Sequence, residues 1–151
     1  MKRTQLLIIC IVIIIVMTLP LAGCIDPGTA VVKPTGESPI TGAVMTLSID
    51  SETLQPLQMT EVFKKDTPII YCSVGVGNIS EEIPVSAELV LIKSVSGETQ
   101  IKKRATAIMT DGPRNLSFSW VRPGEAWVAG EYQVIVTADG KEAVTVPFTI
   151  E

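Results

Sequence analysis

Apolar and polar residues alternate in short runs through most of the chain after residue 44, and no run there repeats at the helical period. Thr67-Pro68 opens IIYCSVGV, in which Ile70, Cys72, Val74 and Val76 fall on one face of an extended strand. Pro84 opens VSAELVLIK, which puts Val85, Ala87, Leu89 and Leu91 together. Met45, Leu47 and Ile49 alternate with polar residues, as do Leu116, Phe118 and Trp120. Such alternation marks antiparallel strands with one buried face. Turn signals separate the runs at Gly77-Asn78, Ser96-Gly97, Asp111-Gly112-Pro113 and Arg122-Pro123-Gly124. EYQVIVTA and EAVTVPFTI flank Asp139-Gly140, a strong hairpin signal. A weaker strand is expected near 99–109. About seven strands at this spacing predict an all-β antiparallel sandwich. Pro147 lies inside the last run and belongs on a sheet edge, because it cannot donate to a ladder.

The start of the chain follows another pattern. Leu6–Met17 (LLIICIVIIIVM) is an unbroken apolar run of 12 residues, preceded by Lys2 and Arg3 and by no acid. A basic start, a short apolar run and small residues at its end describe a secretory signal peptide. The run falls short of the roughly 20 residues that cross a bilayer. Counted on through Pro20 to Ile25 it reaches 20, so an uncleaved transmembrane anchor is the rival reading. Both readings export everything after residue 24.

Leu21-Ala22-Gly23-Cys24 closes this leader and resembles the lipobox of prokaryotic lipoproteins. The resemblance implies that a lipid is attached to the Cys24 thiol and that cleavage falls just before it. Residues 25–43 hold three prolines and three glycines with no regular period, the composition of a partly extended tether. The expected organisation is a signal peptide over 1–23, the lipidated cysteine and tether over 24–43, and a sandwich domain over 44–151.

Gly130-Glu131-Tyr132-Gln133-Val134 resembles the start of the sixth strand in immunoglobulin-like and fibronectin-type domains. There a tyrosine hydroxyl bonds back to the preceding corner. The resemblance sets Cys72 at the first cysteine position, Val134 at the second and Leu89 near the buried tryptophan. Two of the three antibody hallmarks are therefore replaced. It covers about residues 44–151 and implies a fold without a ligand.

Composition narrows the chemistry. The chain contains no histidine, which removes Ser-His-Asp and Cys-His arrangements, zinc sites built on imidazole and blue-copper sites. No metal or cofactor is expected, and no enzyme. Without Lys2 and Arg3 the 12 basic residues become 10 against 16 acidic ones, a net of −6. Nucleic acid and anionic lipid repel such a domain. Lys102-Lys103-Arg104 has no interleaved aromatic and reads as a solvated run. Cys10 lies in the leader and Cys24 carries lipid, so Cys72 has no partner for a disulfide within the mature chain and reads as a small buried hydrophobe. Asn78-Ile79-Ser80 and Asn115-Leu116-Ser117 fit the glycosylation acceptor pattern.

Two candidate sites remain. Val90, Ile92 and Ile135 sit opposite the core positions of strands expected to be neighbours, and together form an apolar patch on an outer sheet face. Monomers seldom leave such patches uncovered, so the face either docks a protein of the cell envelope or a second copy, or is covered by residues 99–109 or the tether, or reflects β-propensity alone. In GEAWVAGEY, Glu125 and Glu131 flank Trp127. An exposed acid pair beside an aromatic could hold a sugar or a cation; the plainer reading is that Trp127 packs under the corner to support Tyr132. The expected function is a lipid-anchored, extracytoplasmic binding or structural module, with a small-solute, glycan or inhibitor lipoprotein as the alternative.

Overall fold

The computed structural model describes residues 31–34, 38–77, 82–97, 102–109 and 114–151. The leader, Cys24, Asn78 and Glu81 lie outside the described residues. Eight strands follow in chain order: β1 (Ile40–Thr46), β2 (Val62–Phe63), β3 (Ile69–Val76), β4 (Ile83–Ser94), β5 (Lys102–Met109), β6 (Arg114–Val121), β7 (Gly130–Ala138) and β8 (Lys141–Ile150). They build two sheets, a three-stranded one ordered β1-β3-β6 and a five-stranded one ordered β2-β8-β7-β4-β5. Every pairing is antiparallel except the short parallel contact of β2 with β8. The described residues contain strands and turns and no helix.

The alternation along the chain sets the core. Ile70, Cys72 and Val74 of β3 meet Val85, Ala87 and Leu89 of β4 and Val134 and Val136 of β7, all of them inaccessible to solvent. Leu116, Phe118 and Trp120 of β6 close one side of this layer. At another, Phe148 lies edge-on to Phe63 and stacked on Tyr132, with both ring centroids 5.4 Å away. Asp139 and Gly140 turn β7 into β8 with φ of 51° and 74°. Positive φ at both central residues is what a type I′ hairpin requires, and it is why an Asp-Gly pair stands there. Pro147 is exposed on β8, which β2 covers only at Thr149 and Ile150.

Three features depart from the pattern of alternation. β1 starts at Ile40, inside the stretch read as tether, and Val32 pairs with Ala43 alongside it. The chain leaves the sheet after Thr46, so Leu47 is 42% exposed rather than continuing the buried face. β2 is an eighth strand; two residues are too few to show a period.

Residues 47–60 form an arm that folds back over the three-stranded sheet. Leu47 N–H donates to the Gln58 carbonyl at 2.9 Å and Leu57 N–H to the Ser48 carbonyl at 3.0 Å. At the tip, one Asp50 carboxylate oxygen accepts the Glu52 and Thr53 N–H groups and the Thr53 hydroxyl, at 3.1, 2.8 and 2.8 Å. This is an Asx turn, in which a short side chain stands in for backbone. The Thr53 N–H is the main reason that the Asp50 carboxyl is held below its usual range, followed by the Thr53 hydroxyl and the Glu52 N–H. Two hooks then fasten the tip: the Ser73 hydroxyl donates to the Leu54 carbonyl at 2.9 Å, and the Asn115 amide to the Thr53 carbonyl at 3.4 Å.

Candidate functional site

The five-stranded sheet turns one face to the core and the other outward. Register places Val90 of β4 opposite Gln133 of β7, and Gln133 opposite Pro147 of β8; one row along, Glu88, Ile135 and Thr145 stand abreast. β4 and β7 are neighbours, and Val90, Ile92 and Ile135 all lie on the outward face. Their exposure differs. Ile92 is 53% exposed, Ile135 is half-buried, and Val90 is only 6% exposed. Val90 lies within the run where β4 is paired on both sides, opposite Gln133 and Lys102, whereas Ile92 is the extra residue where the register slips between Leu91 and Lys93. A bulge of this kind re-aims the side chain it adds.

Apolar neighbours that no alternation pointed to complete this face. Val62, on the two-residue β2, is 49% exposed and lies in register with Thr149. Val62, Ile92, Gln133, Pro147 and Thr149 line a shallow depression of about 480 Å³. Glu61 and Glu131 stand at its margin. Glu131 is also 3.9 Å from the Lys93 ammonium, and a pair this open to water contributes little stability.

The corner before β7 holds the second candidate, and its geometry corrects one expectation. Trp127 is 2% exposed. Its indole N–H donates to the Thr67 carbonyl at 2.8 Å and its backbone N–H to the Lys65 carbonyl at 2.9 Å. The ring thus ties the loop after β6 to the turn before β3 and offers no face to a sugar. Glu125 and Glu131 are both exposed, without the aromatic surface between them that a glycan site needs. The Tyr132 hydroxyl donates to the Val128 carbonyl at 2.7 Å, so the polar end of a buried ring is satisfied within the corner. Beside this corner, Lys65, Lys93, Val95 and Ile150 line an open cleft of about 440 Å³.

Cys72 is buried and reduced. Burial pushes its thiol up to about 12, against a smaller opposing pull from the Val44 backbone, which leaves it protonated and unreactive at neutral pH. Among the described residues, no three His, Cys, Asp or Glu side chains stand together as metal ligands. No helix among them is long and apolar enough to cross a membrane. No protein-family model matches the chain, and no curated protein does.

Proposed function

We propose that the protein is a non-enzymatic module of the immunoglobulin-like or fibronectin type, held outside a membrane by lipid on Cys24. In this reading it binds an envelope protein through the outward face of its five-stranded sheet. The basic start, short apolar run and LAGC ending of the leader support export and lipid attachment. The fold reading draws support from β1, β3 and β6 lying in one sheet and β4, β7 and β8 in the other, the division that the A-B-E and C-F-G strands make in such domains. The Tyr132–Val128 bond fits the tyrosine corner of the same domains.

The observation that carries the binding reading is the contrast in cover. The arm covers Val44, Thr46 and Ser73 of the three-stranded sheet, which stays open on β6 at Ser119 and Val121, while the five-stranded sheet leaves Ile92 and Val62 open side by side at 53% and 49% around one depression. Side chains of this kind are what a partner buries. The solute-carrying alternative calls for a concave pocket near Trp127; the cleft beside that corner is open, and the buried ring takes no part in lining it. A photo-reactive residue placed at Ile92 in the full chain, in native membranes, is expected to give one dominant protein adduct. The same group at Ser119, on the other sheet, should give none. Equal labelling from both positions removes the binding face.

A further inference from the structure

We infer that one end of the sandwich rests on the lipid surface itself, so that the domain is oriented on the membrane and does not swing freely above it. The inference rests on the reading of Cys24 as the lipid anchor. β1, β4, β6 and β8 finish at this end, and β3 and β7 begin there, as the registers Thr46↔Tyr71, Ile69↔Val121 and Gly130↔Ile150 require. Among the described residues, most of the large apolar side chains left open to solvent collect there. Leu47, Met59, Val95 and Val121 are 42%, 48%, 82% and 65% exposed, and Leu57, bonded through its N–H to Ser48 at the base of the arm, is 62% exposed. At the opposite end, the described turn between β7 and β8 carries Asp139, Gly140, Lys141 and Glu142.

The course of the chain points the same end at the anchor. Val32 pairs antiparallel with Ala43, through bonds of 3.0 and 2.9 Å. Val31 is therefore the residue nearer the Thr46 end, and the chain enters the domain from that side. Seven peptide units separate Val31 from Cys24, which even when fully stretched span at most about 25 Å. That is well under half of the roughly 60 Å that a tether running from residue 25 to 43 would reach at about 3.3 Å per residue. A domain on so short a leash, with its open apolar side chains facing the leash, has the bilayer within reach. Lysines and acids are mixed at this end, as the Lys93–Glu131 pair shows. The contact therefore rests on apolar side chains entering the headgroup layer, as interfacial anchors do, rather than on anionic lipid.

The test uses the full lipoprotein, reconstituted into phosphatidylcholine vesicles that contain a nitroxide-labelled lipid. A single fluorophore is carried by Met59→Cys or, at the far end, by Lys141→Cys; Cys72 is buried and stays unlabelled. Quenching at position 59 several-fold above that at position 141 supports the contact, and so does its loss in Leu57→Asp. Equal, weak quenching at the two positions, in protein whose mass shows the lipid on Cys24, overturns it. A mass showing an unmodified Cys24 overturns the anchor reading and this inference with it, and so separates the two failures.

Discussion

The two sheets of this sandwich treat their outward faces in opposite ways. On the three-stranded sheet, Val44, Thr46 and Ser73 face away from the core and yet are 3%, 0% and 2% exposed, because the arm lies on them. On the five-stranded sheet the corresponding layer is open at Ile92, Val62 and Pro147. The covered face carries Gly42, Val44, Thr46, Ser73 and Gly75; the Val31 side chain stands over Gly42 and the Thr41 hydroxyl over Gly75, where a β-carbon would clash. The Ser73 hydroxyl then meets a carbonyl of the arm. The open face mixes apolar residues such as Ile92 and Pro147 with Ser86 and Thr137, whose hydroxyls bond each other across the strands at 2.6 Å. The two faces thus differ in where their hydroxyls bond: Ser73 to the backbone of the arm, Ser86 to a neighbouring side chain of its own sheet.

The same substitution on each face should separate them most sharply. Val44→Asp buries a charge beneath the arm and is expected to cost on the order of 3 kcal/mol. Ile92→Asp points into water and should change stability by less than about 0.5 kcal/mol. Urea unfolding of both variants measures the difference, and equal losses would erase the distinction between the faces.

A milder pair sharpens it. Ser73→Ala leaves the Leu54 carbonyl without its buried donor and should cost about 1–2 kcal/mol. Ser86→Ala removes a cross-strand bond of 2.6 Å to Thr137 on the other face. Thr137 is only half-buried and can turn to water, so the cost there should be nearer 0.5 kcal/mol.

The smallest effect is local to the arm. The Asp50 carboxyl sits below its usual value of 3.8 because its charged form accepts bonds from Thr53 and Glu52. A depressed folded-state value means that this stabilisation is complete above pH 3.8 and fades as pH falls through the lower folded value. Amide exchange at Glu52 and Thr53 should therefore speed up on acidification below pH 3.8, relative to amides of β7. In Asp50→Asn that pH dependence should disappear.

Much of the fold is legible in the sequence. The buried sets of β3, β4, β6 and β7 are the alternating residues themselves, and Asp139-Gly140 announced its hairpin. The arm was not legible. Its order comes from bonds that join residues 19 and 62 positions apart, Ser73 to Leu54 and Asn115 to Thr53, and a local period carries no trace of those. Trp127 packs under the corner, the reading its sequence context allowed beside a loop site, but its partner could not be named for the same reason. It stands among loop residues, while the carbonyl that holds its indole is 60 positions away. At the candidate face, alternation placed Val90, Ile92 and Ile135 on the right side of the sheet. It was blind to the near-complete burial of Val90, and Val62 lies in a strand too short to be seen.

The account as a whole depends on how the chain is held. Intact-mass spectrometry of the protein purified from its own membranes tests this most directly. The predicted mass is that of a chain beginning at Cys24, with Met1–Gly23 removed and a diacylglyceryl group on the sulfur. A mass that retains Met1, or one that leaves the Cys24 thiol bare, contradicts it.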